Sequence, residues 1–269
     1  MIDLDAYFAR IGYHGPREPT LDVLRALHAL HPAAIPFEAI DVLLGVGVDL
    51  APAAVDAKLI GRRRGGGCFE QNGLFKRALV ALGFEVENLI ARVRWMQPAG
   101  AAPQPRGHMA LRVTVDGERW LVDVGFGGCV MTAPIRFDSH DAQATPHEAC
   151  RLTDLGREVR QEVQLPEGWT TTYDLSKEVQ AEVDYEPANW FAATHPNSLF
   201  RATLIVARTT PQARYALLNN RLTIRWHGLE PERHVFGVED LAHALESCFG
   251  LPVEDAWRPV LERAVAAGG

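Results

Sequence analysis

The spacing of apolar residues changes near residue 85, and this change restricts the folds that are open to the chain. In the first third, apolar residues recur at helical intervals. One such stripe consists of Leu74, Phe75, Ala78, Leu79 and Leu82. From about Val86 onward, short runs of Val, Leu and Trp are bounded by turn residues, which is typical of strands. Helices come first, strands follow, and the last part is mixed. The pattern therefore predicts an α+β fold and not an alternating parallel α/β sheet.

Three helices are predicted in the first third of the chain. The first follows Thr20, a suitable N-cap, and is expected to be ended by Pro32 and Pro36, because proline interrupts helical hydrogen bonding. The second covers residues 52–60, and the third starts directly after Cys68.

The later part of the chain is predicted to be mainly strands. The strand-like segments are residues 89–95, 109–115, 119–124, 159–165, 169–175, 200–207 and 217–225. Two helices are expected to close the chain, one carrying Leu241, Leu245 and Phe249 and the other covering residues 253–267.

Composition and charge exclude several classes of protein. Apolar residues make up 47% of the 269 residues and charged residues 23%, which is ordinary for a globular protein and not for a disordered or fibrous one. The formal charge of −7 disfavours non-specific binding to nucleic acid or to a membrane surface, because such binding needs an excess of basic residues. The start of the chain has no signal-peptide pattern, and no run approaches the roughly 18 apolar residues of a membrane span. Together with four irregularly spaced cysteines, this predicts a cytoplasmic protein with free thiols.

The segment Arg64-Gly65-Gly66-Gly67-Cys68-Phe69-Glu70 is the strongest indication of chemistry in the sequence. Three glycines allow a sharp turn and a close approach of the backbone to a ligand. Cys68 then lies at the start of a predicted helix, where the partial positive charge of unpaired amides favours a thiolate and could hold an oxyanion. We interpret Cys68 as a nucleophile. The alternative is that it is a small apolar core residue.

The dipeptide Asp116-Gly117 predicts where a base for Cys68 could lie. It is a strong signal for a two-residue hairpin loop between two apolar runs. In that register His108 and Asp123 fall on one face, as diagonal neighbours roughly 7–8 Å apart. That separation suits a carboxylate that orients an imidazole. Pattern alone leaves open that the two are an unrelated histidine and aspartate on the surface.

The two faces of this hairpin are predicted to differ. One face carries mainly Val, Leu, Met and Trp and is expected to belong to the core. The face of His108 also carries Arg112 and Arg119 and is expected to be partly exposed to solvent. The other histidines, His227 among them, are predicted to be solvated or structural. The basic run at residues 62–64 is expected to be a solvated loop. His147 and Cys150 lack a second ligand pair, so no metal site is predicted.

Three motifs resemble the arylamine N-acetyltransferase family. The segment 64–72 is similar to its nucleophile motif, and Ile35-Pro36-Phe37-Glu38 is similar to its N-terminal motif. The segment 120–127 is similar to the stretch that holds its third catalytic residue, and the order Cys68, His108, Asp123 agrees with the family. Two positions depart from the family pattern: Gly67 stands where an aromatic residue is usual, and Ala39 where asparagine is usual.

The resemblance implies a fold, an activity and a set of site residues. The fold would combine a cysteine-protease-like catalytic core with a helical domain at residues 1–85, a β-barrel domain at 86–190 and an α/β lid domain at 191–269. The activity would be transfer of an acetyl group from acetyl-CoA to arylamines, arylhydrazines or arylhydroxylamines, by a ping-pong mechanism through an acetyl-cysteine and with a role in xenobiotic metabolism. The implied residues are Cys68 as nucleophile, His108 as base, Asp123 as orienting carboxylate, Phe37, Val93 and Phe126 in the acceptor pocket, and Gly127 as a CoA contact.

Three other functions remain compatible with the same residues. A thiol hydrolase would pass the acyl group to water, and an amide synthase would release a carrier-bound polyketide. A protein that binds aromatic small molecules would leave Cys68 unused. The resemblance implies no metal, and the sequence does not determine the oligomeric state.

Overall fold

The computed structural model describes residues 2–98, 100–226 and 228–268. His227 therefore lies outside the described residues. Within them, none of the helices is both long enough and apolar enough to cross a membrane.

Eight α-helices occur in the described residues. They are α1 (Leu4–Ile11), α2 (Leu21–Ala34), α3 (Ile40–Leu43), α4 (Pro52–Asp56), α5 (Cys68–Ala81), α6 (Tyr185–Thr194), α7 (Val238–Ser247) and α8 (Arg258–Ala267). A π-helical turn at Ala57–Gly61 continues α4, and 3₁₀ turns lie at Glu182–Asp184, Leu199–Arg201 and Asp255–Trp257. The predicted helices after Thr20, at 52–60 and after Cys68 are confirmed, whereas α1, α3 and α6 were not predicted.

Helix α2 shows where the expectation about proline was wrong. Thr20 caps it as predicted, with its hydroxyl accepting the N–H of Val23 at 3.4 Å. Pro32 does not end the helix but lies inside its last turn, because one missing N–H removes a single bond from a helix whose apolar face is already packed. The helix ends at Ala34, where Ile35 is extended, as expected for a residue that precedes a proline.

Twelve strands occur in the described residues. They are β1 (Phe37–Glu38), β2 (Glu85–Val93), β3 (His108–Val115), β4 (Glu118–Val122), β5 (Ile135–Arg136), β6 (Cys150–Asp154), β7 (Glu158–Leu165), β8 (Gly168–Ser176), β9 (Ile205–Thr209), β10 (Ala213–Leu218), β11 (Arg221–Trp226) and β12 (Glu232–Val235). Every pair of these strands is antiparallel, which confirms the α+β class.

Seven strands form a nearly closed barrel in the order β5-β4-β3-β2-β8-β7-β6. Gln143 closes the remaining gap. Its backbone pairs with Cys150 in β6, and its side-chain amide bonds the main chain of Arg136 in β5. The barrel encloses an apolar core of its own, with Leu89 and Leu121 fully buried inside it.

The other five strands form a sheet in the order β1-β9-β10-β11-β12, which packs against α7 and α8. Three predictions in this part were wrong. The strand expected at 200–207 begins at Ile205, after a 3₁₀ turn. The single strand expected at 217–225 is two strands, because Asn219 adopts a left-handed conformation (φ +53°) and turns the chain. The last helix starts at Arg258 and not at residue 253.

Helix α5 packs its apolar stripe on the outer face of the barrel. Leu74, Phe75 and Leu79 share a buried core with Leu111 and Val113 of β3. This packing fixes the start of α5 beside the first residues of β3, which places Cys68 near His108. The division of the chain at residues 85 and 190 stays a prediction, and we note that α6 crosses residue 190.

Candidate active site

Cys68 is the first residue of α5 and is half-buried. Gly67 is the N-cap, and its N–H donates to the Glu70 carboxylate at 2.8 Å. The amides of Cys68 and Phe69 remain in the first turn without an intrahelical acceptor. The Cys68 thiol lies 3.6 Å from the carbonyl oxygen of Gly107. The predicted position of the cysteine at a helix start is therefore confirmed.

Two glycines let other backbone segments approach the nucleophile closely. A Cβ atom on Gly65 would lie 2.1 Å from the carbonyl oxygen of Pro36, so only glycine allows this segment to run beside β1. A Cβ atom on Gly125 would lie 2.9 Å from Cα of Cys68, a separation that real Cβ atoms essentially never show. Gly125 thus brings the chain after Asp123 directly against the start of α5.

The hairpin between β3 and β4 has the predicted register. Asp116 and Gly117 form the loop with positive φ angles of +51° and +78°. Val115 faces Glu118 across the pair, and the ladder runs in the predicted register as far as Leu111. His108 starts β3, Asp123 follows β4, and Nε2 of His108 lies 2.7 Å from Oδ2 of Asp123. The predicted proximity of these two residues is confirmed.

The face of the hairpin that carries His108 is less exposed to solvent than predicted. His108 is 3% exposed and Arg112 is 8% exposed, because this face lines the interior of the barrel near its mouth. The expectation of a partly wet face was wrong there and holds only for Arg119 at the far end. The ring of His108 packs against Phe126 (5.2 Å between centroids) and Tyr173 (5.1 Å).

Burial and charge together determine the protonation states of His108 and Asp123. Burial alone lowers the pKa of His108, but the charge and hydrogen bond of Asp123, with a smaller contribution from Cys68, overcome it and raise the pKa to about 10. Burial alone raises the pKa of Asp123, yet His108, Asn72 and the N–H of Gly125 hold it below its usual value. The arrangement therefore favours an imidazolium between a carboxylate and the Cys68 thiol.

Asn72 is a site residue to which the sequence interpretation gave no role. It lies one turn after Cys68 on α5, and its amide donates to Oδ1 of Asp123 at 3.0 Å and to the carbonyl of Met109 at 2.8 Å. Its amide oxygen accepts the N–H of Val124 at 3.1 Å. The four-residue spacing from Cys68, which puts two helical residues on one face, was the available signal.

A buried ionic cluster supports the turn before Cys68. Lys58 lies 2.7 Å from Asp41 and 2.8 Å from Glu70, and Arg64 lies 2.8 Å from Glu38 and 2.9 Å from Asp41. Burial alone lowers the pKa of Lys58, but the three carboxylates raise it above its usual value. The predicted solvated loop was wrong for Arg64, which is 2% exposed, and right for the two arginines before it. Since Glu70 also binds Gly67, the cluster reaches the nucleophile turn directly.

A cleft with an empty volume of about 470 Å³ opens at Cys68. Its lining includes Phe37, Val42 and Phe200, together with Asn189 and Ala193 of α6.

Of the four predicted acceptor-pocket and CoA residues, only Phe37 lines this cleft. Gly127, with φ +85°, packs against the Phe37 ring. The ring of Phe126 packs against His108 and lies 6.3 Å from the ring of Trp95. Val93 ends β2 opposite Tyr173 and does not line the cleft. The acceptor-pocket and CoA roles of these four residues stay predictions.

No cluster of three or more His, Cys, Asp or Glu side chains suited to a metal ion occurs among the described residues. His147, one of the two residues considered for such a site, contacts the carbonyl of Thr210 at 2.8 Å.

Comparison with known proteins identifies the family. A family model described as N-acetyltransferase matches residues 20–258. The arylamine N-acetyltransferase of Mycobacterium tuberculosis is 40% identical over 257 residues, which cover 94% of this chain and 91% of the relative. The Salmonella typhimurium protein named arylamine N-acetyltransferase / N-hydroxyarylamine O-acetyltransferase is 40% identical over 266 residues, covering 98% and 94%.

Solved structures agree with the sequence comparison. The Mycobacterium tuberculosis arylamine N-acetyltransferase superimposes with a TM-score of 0.93 at 40% identity, over 98% of this chain and 99% of that one. The Mycobacterium marinum enzyme in complex with CoA gives a TM-score of 0.93 at 38% identity, over 98% of both chains. The chain therefore belongs to the arylamine N-acetyltransferase family and is a transferase.

Proposed function

We propose that the protein transfers an acetyl group from acetyl-CoA to aromatic amines, hydrazines or hydroxylamines, in two steps through an acetyl-cysteine at Cys68. The observation that carries this proposal is the position of His108, which is buried between Asp123 and Cys68 at the start of a helix. A related structure contains CoA, which supports CoA thioesters as donors.

In the first step, the Cys68 thiolate attacks the carbonyl carbon of the acetyl thioester. A bond to the Cys68 sulfur forms while the bond to the CoA sulfur breaks. The imidazolium of His108 gives its proton to the leaving thiolate, so this step ends with neutral His108, free CoA and acetyl-Cys68. Asp123 keeps the ring oriented and stabilises its charged form.

The oxyanion of the tetrahedral intermediate needs donors near Cys68. The N–H of Gly67 is already bound to Glu70, so it is not available. The first-turn amides of Cys68 and Phe69 are the candidates, and each such donor typically contributes about 3 kcal/mol to transition-state stabilisation.

In the second step, the acceptor amine attacks acetyl-Cys68. Its nitrogen bonds to the acetyl carbon and gives a proton to His108, while the bond to the Cys68 sulfur breaks and restores the thiolate–imidazolium pair. An arylamine is neutral at pH 7 and needs no prior deprotonation. We assign Phe37, which lines the cleft, and Phe126, which packs against His108, to the contacts with its ring, and Gly127 to a close approach of CoA.

Mass spectrometry of the Cys68 peptide tests the proposal. We expect acetyl-CoA to add one acetyl group there, and aniline to remove it while acetanilide forms. Cyclohexylamine, which has the same ring size but is protonated at pH 7, should remove it far more slowly. Cys248→Ala is the matched control, because Cys248 is also partly exposed and should not affect acetylation.

Three other results would each point to a different function. Decay of acetyl-Cys68 in water at the rate seen with aniline would indicate a thiol hydrolase. Acylation by the N-acetylcysteamine thioester of a polyketide acid, but not by acetyl-CoA, would indicate an amide synthase. Failure of all of these acyl donors to modify Cys68 would leave a binding protein as the explanation. Location in a cytoplasm and a role in xenobiotic metabolism stay predictions.

A further inference from the structure

His28 lies on α2 and is fully buried, and the proposed mechanism gives it no role. Its Nε2 accepts the backbone N–H of Asp123 at 3.3 Å. Because a backbone N–H can only donate, this nitrogen must be unprotonated, and the proton of the neutral ring must lie on Nδ1. Burial lowers the pKa of His28 to about 4, against the opposing charge of Asp123, so the ring stays neutral at pH 7.

Nδ1 of His28 is shielded from solvent and has no hydrogen-bond partner among the described residues. A buried donor without an acceptor destabilises a fold. His31, one turn later on the same helix, differs. Its Nδ1 contacts the hydroxyl of Tyr7 at 2.9 Å, and its Nε2 contacts the amide oxygen of Gln71 at 2.7 Å. Both ring nitrogens of His31 are therefore paired, whereas His28 pairs only the one that faces Asp123.

The hydrogen bond from Asp123 to His28 brings the fold little net stability. A leucine of similar volume at position 28 would remove the unpaired Nδ1–H, but it would leave the N–H of Asp123 without an acceptor. The two costs are of the same kind and largely cancel. What the imidazole does change is the position of the Asp123 main chain, which it holds in one orientation.

The main chain of Asp123 lies just beyond the β3–β4 ladder, whose last pair joins Leu111 and Val122. The peptide N–H of Asp123 therefore needs an acceptor outside the sheet, because a buried backbone donor must be paired. His28 supplies it from α2. The carboxylate of Asp123 has its own hydrogen bonds, but these do not hold the peptide group.

The ring of His28 is itself held in place. It packs edge-on against Phe75, with 6.2 Å between the ring centroids, and Phe75 lies on the helix that begins at Cys68. Rotation of the Asp123 peptide would turn its carboxylate away from His108, whose Nε2 lies 2.7 Å from Oδ2. The position of this main chain therefore controls the bond that stabilises the charged form of His108.

We propose that His28 is a positioning residue for acetyl transfer: its unprotonated Nε2 holds the main chain of Asp123, which keeps the carboxylate directed at His108 and so keeps Cys68 ionised. The effect on turnover rests on the proposed function. The effect on the ionisation of Cys68 can be measured without an acetyl donor, so the two proposals can fail separately.

Two substitutions separate the acceptor atom from the packing of the ring. His28→Leu has a similar volume and no acceptor, whereas His28→Gln carries a side-chain oxygen close to the position of Nε2. In His28→Leu, we expect the pH of half-maximal alkylation of Cys68 by iodoacetamide to rise by about one unit. We also expect kcat to fall about tenfold, with less than about a twofold change in KM for acetyl-CoA. His28→Gln should restore both values.

Val23→Ala is the matched control. Val23 is also buried on α2, but its side chain forms no hydrogen bond, so alanine reduces the packing and leaves the N–H of Asp123 bound. We expect this variant to unfold at a lower urea concentration and to keep the alkylation profile and kcat of the unchanged protein. Equal shifts in Val23→Ala and His28→Leu would overturn the proposal, because loss of packing would then be a sufficient cause.

Nitrogen-15 NMR of histidine-labelled protein tests the central bond without a substitution. We expect His28 to be the neutral Nδ1–H tautomer from about pH 8 down to about pH 5. An Nε2–H tautomer, or a protonated ring at pH 7, would overturn the proposal even if His28→Leu does not fold. An unchanged alkylation profile in folded His28→Leu, or a shift that His28→Gln does not reverse, would also overturn it. Absence of acetyl-Cys68 in the unchanged protein would refute the proposed function alone.

Discussion

Asn72 donates a hydrogen bond to Oδ1 of Asp123 at 3.0 Å, so the helix that begins at Cys68 also holds the carboxylate that orients His108. Helix, hairpin and loop are thereby joined at one buried point. If the orientation of His108 depends on this bond, residues that never touch a substrate should still control the rate.

Asn72→Ala tests that dependence. We expect kcat to fall by about 10- to 100-fold, because a small displacement of a catalytic group is enough to cause such a loss. The unfolding free energy should fall by about 1–3 kcal/mol, since the buried N–H of Val124 and carbonyl of Met109 lose their partner.

A double variant distinguishes loss of the Asn72–Asp123 interaction from a general disturbance of the fold. In an Asp123→Asn background, Asn72→Ala should add little further loss of kcat, because both changes act on the same interaction. If the double variant instead loses kcat by the product of the two single-variant fold losses, Asn72 acts independently of Asp123.

Gly125→Ala tests the close approach of the Asp123 loop to Cys68. Its new Cβ would meet Asn72 and Cys68, so the loop must move and the acetylation rate should drop by more than tenfold. Gly73→Ala is the matched control. Gly73 lies within α5 with nothing within 4 Å of its Cβ position, so alanine should raise the unfolding free energy by about 0.5–1 kcal/mol and leave the rate unchanged. A normal rate in Gly125→Ala would show that the contact does not position the site.

The hairpin register could be predicted because it depends on a local signal. Asp116-Gly117 suits a two-residue turn, and the turn fixes the partners of every residue in the ladder. The helix start at Cys68 could be predicted for the same reason, because its signal also lies in neighbouring residues. What periodicity could not predict was the dryness of the His108 face, because that depends on closure of the barrel through Gln143 and Cys150.

The buried charged residues also could not be predicted from the sequence pattern alone. Arg64 follows two exposed arginines in sequence, so the run gave no indication that Arg64 is buried. Its partners Glu38 and Asp41 lie more than twenty positions earlier, and only the fold brings them together. Asn72 could have been selected by its spacing from Cys68, but its acceptor Asp123 becomes apparent only when α5 is packed on the barrel.

Lys58→Met tests the buried ionic cluster. It leaves the carboxylates of Asp41 and Glu70 without their shared cation, and we expect a loss of about 3–5 kcal/mol in the unfolding free energy. The control is Lys76→Met, since Lys76 pairs with the exposed Glu182 and should cost less than about 1 kcal/mol. Urea unfolding measures both variants. Equal effects would show that the cluster contributes no more than a surface pair.

His31 predicts a pH dependence of stability. Burial, the largest cause, and the charge of Arg10 lower its pKa to about 3, against a hydrogen bond with Gln71 that raises it. The unfolded chain binds a proton near pH 6.5 and the folded chain does not. The stability that neutral His31 supplies is therefore complete above that pH and is lost as the pH falls.

His31→Gln removes this dependence. The unfolding free energy lost through the substitution should be smaller at pH 5.5 than at pH 7.5, by about 1.4 kcal/mol for a single unshared proton. Urea titrations of both proteins at the two pH values measure it. A loss that stays constant between them would contradict a buried, neutral His31.

The central claim is that His108, held by Asp123, keeps Cys68 as a thiolate, and the pH profile of Cys68 alkylation by iodoacetamide tests it most directly. We predict rapid alkylation of Cys68 at pH 6, where Cys129 and Cys150 stay unmodified because burial raises their pKa values to about 11 and 12. In His108→Gln, the Cys68 rate should fall at pH 6 and rise about tenfold per pH unit, as for an unassisted thiol. Identical pH profiles in the two proteins would contradict the claim.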